Sequence, residues 1–93
     1  MILKVRHKAL RAFINNGETK NLNREWIGRI ARICTLLDAA SVPAGMNIPG
    51  FYLHRLKGSL EGFWSVRIAG NWRIIWRFDK RGNATDLDLL DYH

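Results

Sequence analysis

Phe63-Trp64-Ser65-Val66-Arg67-Ile68-Ala69-Gly70-Asn71-Trp72-Arg73-Ile74-Ile75-Trp76-Arg77-Phe78 is the stretch on which the fold turns. Side chains alternate along it with a period of two. Trp64, Val66 and Ile68 point one way, and Ser65 and Arg67 the other. Trp72, Ile74, Trp76 and Phe78 share a side, with Arg73, Ile75 and Arg77 opposite. Ala69-Gly70-Asn71 between the two runs is turn-prone, so residues 63–68 and 72–78 are expected as an antiparallel hairpin. Each large apolar side chain is worth about 1.5–3 kcal/mol when buried, so the aromatic side of the hairpin requires a covering layer.

That layer lies upstream. In residues 8–16, Ala9, Leu10, Phe13 and Ile14 form one helical stripe, and Gly17 suits the position after the last turn. A longer helix is predicted over 24–40, where Trp26, Ile27, Ile30, Ile33, Cys34 and Leu37 recur at helical spacing. Asn23 is placed to cap it, and Leu22 with Ile27 to staple it. Glu25 and Arg29 stand at i,i+4 on its polar face, and Arg24, Arg29 and Arg32 read as a solvated basic face. Gly28 inside the helix costs about 1 kcal/mol against alanine, which close packing would explain.

Around these elements the remaining chain is short. Residues 2–6 alternate apolar and basic side chains as an opening strand, and 51–56 read as another, followed by a glycine-bounded loop over 57–62. Residues 80–83 form a turn and 84–90 the last strand. Pro43, Gly45, Pro49 and Gly50 interrupt regular structure over 41–50, but neither half could bury a core of its own, so residues 1–93 are expected as a single domain. The fold class is α+β, with two N-terminal helices packed on one face of a small, mostly antiparallel β-sheet.

Fifteen Lys and Arg against eight Asp and Glu give a net charge of +7 and favour polyanionic partners. Eight basic and three acidic residues fall in 1–42, seven and five in 43–93. A single cysteine, Cys34, excludes an internal disulfide, and three histidines without metal-ligand spacing argue against zinc. No apolar run approaches the roughly 18–20 residues that span a bilayer, and a reducing cytoplasm is the expected compartment.

Arg67, Arg73 and Arg77 are expected together on the uncovered face of the sheet. Like charges on adjacent strands repel unless an anion relieves them, or unless Asp86 and Asp88 on the last strand do. His54 and Lys57 flank the loop into the hairpin, and Asp91-Tyr92-His93 follow the last strand. Were His54, Lys57, Arg73, Tyr92 and His93 gathered at one spot, they would match the needs of metal-free RNA cleavage. That reaction uses a base for the 2′-hydroxyl, an acid for the departing 5′-oxygen and fixed positive charge for the phosphorane-like transition state. Histidine serves either proton role near neutral pH, and tyrosine stacks on bases. Strict alternation, however, puts Tyr92 on the opposite side from Asp91 and His93.

Leu53-His54-Arg55-Leu56-Lys57-Gly58, Gly62-Phe63-Trp64-Ser65-Val66-Arg67-Ile68, Asn71-Trp72-Arg73-Ile74 and Asp91-Tyr92-His93, in this order and spacing, resemble the HigB-type toxins of the RelE/ParE superfamily of bacterial type II toxin–antitoxin systems. The resemblance spans nearly the whole chain and implies a RelE-like fold. It implies a toxin that enters the ribosome and cleaves translated mRNA without a metal or other cofactor, leaving a 2′,3′-cyclic phosphate. It further implies a HigA-like helix-turn-helix antitoxin as partner, with operator DNA contacted only through that complex, and no membrane association. Carried over by position, His54, Lys57, Asp91, Tyr92 and His93 fall on the family's active-site positions and Arg73 on a frequent superfamily arginine. Arg67 and Arg77 are then expected to bind RNA. The alternative is a non-enzymatic toxin or binding module directed at a protein target such as DNA gyrase.

Overall fold

Alternation does place the hairpin. In the computed structural model, which describes residues 1–92, β2 (Trp64–Ala69) and β3 (Trp72–Phe78) pair antiparallel around Gly70-Asn71. β4 (Ala84–Asp91) pairs antiparallel with β3, and the short β1 (His54–Arg55) with β2, giving the sheet order β1-β2-β3-β4. Residues 2–6 run parallel along the outer edge of β4, bridging Ile2 to Ala84 and Val5 to Leu87. They donate from Leu3 N–H to the Ala84 carbonyl at 2.9 Å and accept from Leu87 N–H on the Lys4 carbonyl at 2.9 Å. The opening segment is thus an irregular edge rather than a full strand.

The helices cover one face as expected. α1 (Lys8–Asn16) begins with its Leu10 N–H donating to His7 Nδ1 at 3.2 Å and ends at Gly17, whose φ of 72° suits glycine. α2 is shorter than the apolar periodicity suggests. A 3-10 turn, Arg24–Trp26, precedes the α-helix proper, Ile27–Ala39, and Asn23 Oδ1 caps that turn by accepting from Glu25 N–H at 2.9 Å. Leu10, Ile30, Ile33 and Leu37 meet Ile74, Trp76 and Leu87 in the main core, all with no exposed surface. A cavity of about 330 Å³ opens between the helices beside Phe13, Ile14 and Cys34. Burial, with the charge of Asp38 adding to it, pushes the Cys34 thiol up to about 12.

Four readings of the sequence need correction. The far face of the sheet is not uncovered. The loop after β1 folds back across it, so that Leu56, Phe63 and Ile75 form a second buried cluster with Leu60 and Leu90 against it. The run 51–56 is not one strand, because Tyr52 takes a positive φ of 52° and breaks the ladder ahead of His54. Arg29 is not a solvated residue. It donates to the carbonyls of Gly50 and Arg67, the latter at 2.9 Å, and so clamps the 50–53 segment to β2. Gly28 is not closely packed either, since an added Cβ would meet nothing within 4 Å. Gly28→Ala should therefore stabilise the fold by about 0.5–1 kcal/mol, less whatever its place in the first turn discounts. A raised urea midpoint would register the gain, and a lowered one would refute the open-space reading.

β4 carries a bulge opposite Trp76, where the register passes from Ile75↔Asp88 to Arg77↔Thr85. Asp86 occupies the bulge with a φ of 57°, a left-handed conformation that aspartate tolerates better than most residues. Its carboxylate is buried yet accepts from Arg77 Nε at 3.1 Å, again from Arg77 Nη2, and from Arg6 Nε at 3.3 Å, with Lys4 Nζ 3.8 Å away. The hydrogen bond from Arg77 above all, then the charges of Arg6, Arg77 and Lys4, hold this carboxyl below the usual range against the opposing effect of burial.

Candidate active site

Strand register decides which sequence-predicted residues meet. His54 lies opposite Ser65, Arg67 opposite Arg73, and Arg73 opposite Leu90. Directly paired residues share a face, so all of these project away from the helices. Tyr92 stands two residues beyond Leu90 and joins them. Its N–H donates to the Asn71 carbonyl at 2.8 Å, which ties the end of β4 to the hairpin turn.

A cavity of about 390 Å³ forms there, lined by Tyr52, Leu53, His54, Arg73 and Tyr92. Three of the expected site residues, His54, Arg73 and Tyr92, thus share one concave surface. Arg73 is held from beneath: its Nη1 donates to Ser65 Oγ at 3.1 Å and to the Tyr52 carbonyl at 3.3 Å. Ser65 is fully buried. Arg67, directly across from Arg73, places its guanidinium 5.5 Å from the centre of the Tyr52 ring. Both arginines are therefore met by neutral groups: a hydroxyl, a carbonyl and an aromatic ring. Arg73, which lines the cavity, can offer its positive charge to an anion there.

Lys57, Asp91 and Arg77 do not line the cavity. Lys57 is exposed just past β1, at the start of the 3-10 turn Gly58–Leu60. Asp91 pairs with Trp72 and falls on the opposite side of β4 from Tyr92, as alternation requires. His93 lies outside the described residues. Arg77 is engaged by Asp86 and stacks over Phe63 at 5.1 Å, at the other end of the sheet from the cavity.

Tyr52 and Ser65 were not singled out by the sequence. For Tyr52 the available signal was an aromatic residue two positions before His54 in a segment that alternates like a strand, although its own backbone leaves extended geometry. For Ser65 it was a small hydroxyl residue among large apolar ones on the arginine-bearing face. What no local pattern reveals is that β1 pairs with β2 in the register that brings His54 over Ser65 and both next to Arg73.

Comparison with known proteins identifies the family. A family model for the RelE-like toxin of the type II toxin–antitoxin system HigB matches residues 3–93. The endoribonuclease HigB of Proteus vulgaris is 34% identical over 93 residues, covering all of both chains.

Proposed function

The chain belongs to the HigB family of RelE-like type II toxins, and from that premise we propose that it is an endoribonuclease that cuts translated mRNA in the cavity between β1, β3 and the end of β4. A type II toxin has an antitoxin partner; here we assign that role to a HigA-like helix-turn-helix protein, which would also be the component that contacts operator DNA.

The observation that carries this reading is Arg73, fixed by Ser65 and the Tyr52 carbonyl, with His54 and Tyr92 on the walls around it. In the reaction the 2′-oxygen attacks the adjacent phosphorus as the bond to the 5′-oxygen breaks. A base takes the 2′-hydroxyl proton, and an acid returns one to the 5′-oxygen. His54 stands where it can take part in either transfer, with His93 as its counterpart. Arg73 and Lys57 supply the positive charge that stabilises the phosphorane oxygens. Tyr92 contacts the substrate at the rim, and Asp91 lies on the other side of β4 from it. Arg67 steers the RNA toward the cavity, and Arg77 presents positive charge farther along the same face.

The test is cleavage of a defined mRNA on purified, programmed ribosomes. The expected upstream fragment ends in a 2′,3′-cyclic phosphate, and a 2′-deoxy substitution at the cut nucleotide abolishes the reaction. Cleavage of the deoxy substrate would refute attack by the 2′-oxygen. An intact mRNA with wild-type protein would refute the activity, and equal cutting of free RNA would refute ribosome dependence.

A further inference from the structure

Tyr52 carries more than the reaction just described asks of it. The residue is 63% exposed, and it is one of two non-glycine residues with positive φ among the described residues. Strained backbone of this kind persists only where the surroundings fix it. Here they do so on both sides. Arg29 clamps the carbonyls of Gly50 and Arg67, and Arg67 N–H donates to the Phe51 carbonyl at 2.7 Å. Phe51 itself is 1% exposed in the main core, under the guanidinium of Arg29 at 5.1 Å. The ring of Tyr52 is therefore presented rigidly to water, at a conformational cost, with no core to fill.

Arg67 covers one face of that ring, and Arg67 does not line the cavity whereas Tyr52 does. A base seated on this ring would take the face that Arg67 does not cover. Tyr92, also partly exposed at 36%, lines the same space. Flat apolar faces next to a fixed guanidinium suit a nucleotide: the base stacks on the ring while the phosphate meets the cation.

We propose that Tyr52, backed by Arg67 and facing a cavity shared with Tyr92, is a stacking platform for the nucleobase next to the phosphate that Arg73 receives. The proposal rests on the ribonuclease reading above and deepens it. One residue then serves two ends of the same nucleotide, since the Tyr52 ring seats the base and the Tyr52 carbonyl orients Arg73. Arg67 acts through the ring, polarising it and holding its plane.

The experiment is a cycle between the side chain and the base. Single-turnover cleavage is measured on programmed ribosomes with an intact mRNA and with mRNAs carrying one abasic nucleotide at each position flanking the cut. With intact mRNA, Tyr52→Ala should raise the toxin concentration for half-maximal rate about tenfold, the loss typical of one base stack. Tyr52→Trp and Tyr52→Phe should recover most of that loss. At one flanking position the abasic mRNA should cost the wild type a similar factor and cost Tyr52→Ala nothing further. Independent, multiplying losses at every position would overturn the proposal, as would an unimpaired Tyr52→Ala. A wild type that leaves all mRNAs intact overturns the ribonuclease reading instead, and the stacking role falls with it.

Discussion

Arg73→Ala should lower single-turnover cleavage on ribosomes by roughly two to three orders of magnitude, the usual loss when a preorganised donor to a developing oxyanion is removed. The size follows from how Arg73 is held. Its Nη1 is spent on Ser65 Oγ and the Tyr52 carbonyl, which fixes the plane of the guanidinium and leaves the rest of the fork to meet the phosphate. Arg73→Lys restores the charge but not the planar fork, so it should recover only part of the rate. Ser65→Ala provides the companion measurement. It removes one hydrogen bond to a charged group, worth about 1.5–3 kcal/mol, while keeping the arginine, so a loss of about tenfold or more is expected. The ordering matters more than either value: Ser65→Ala must fall between the wild type and Arg73→Ala. Full cleavage by Arg73→Ala would remove Arg73 from the site altogether.

The second large effect is on stability and concerns Asp86. Removing one partner from a buried charge cluster costs about 3–5 kcal/mol when every member is buried. Here Arg6 and Arg77 keep 48% and 46% of their side chains exposed, so water screens part of the loss and about 2 kcal/mol is expected for Asp86→Asn. Asparagine keeps the left-handed backbone. Asp86→Ala adds the strain of that conformation and should cost about 1 kcal/mol more. For a domain of this size the asparagine variant should melt on the order of 10 °C lower. A melting point indistinguishable from the wild type would show that the cluster contributes nothing net.

The same carboxylate fixes the sign of an acid dependence. Its folded-state pKa lies below that of the unfolded chain. The stabilisation is therefore complete above the ordinary aspartate range, near pH 4, and is lost as pH falls from there through the lower folded value. The wild type should lose stability across that acid window, and Asp86→Asn should lose less. Parallel losses in the two proteins would assign acid sensitivity elsewhere.

The elements whose character is local could be read from the sequence. Period-two alternation located β2, β3 and β4 nearly to the residue, and helical spacing with Gly17 and Asn23 bounded the helices. His54, Arg73 and Tyr92 were also named from the sequence, Arg73 by its sheet face and His54 and Tyr92 by residue type and family resemblance, and all three line one cavity. The misreadings arise where a distant partner overrides the local pattern. Arg29 looks solvated on a helical wheel but finds two carbonyls on other elements. Residues 51–56 alternate like a strand, yet the anchoring of Phe51 in the core and the clamp on Gly50 force Tyr52 out of extended geometry. Ile75 looks stranded on a polar face until the loop bearing Leu56 and Phe63 folds over it. In each case the deciding contact is 15 or more residues away, or depends on a loop path that no periodicity encodes.

The pairing of residues 2–6 with β4 has a consequence for the order of events during synthesis. Residues 2–6 precede all the other elements in the sequence yet are the edge partner of β4, and α1 follows directly from them. A nascent chain can form its helices and the β2–β3 hairpin early, but the outer edge and the Asp86 cluster stay unassembled until β4 has left the ribosome. Such sequence-distant closure makes folding slower than local hairpin formation. It also brings in Tyr92, which directly follows β4. A toxin built this way is born inert, because its cavity does not exist until β4 is in place.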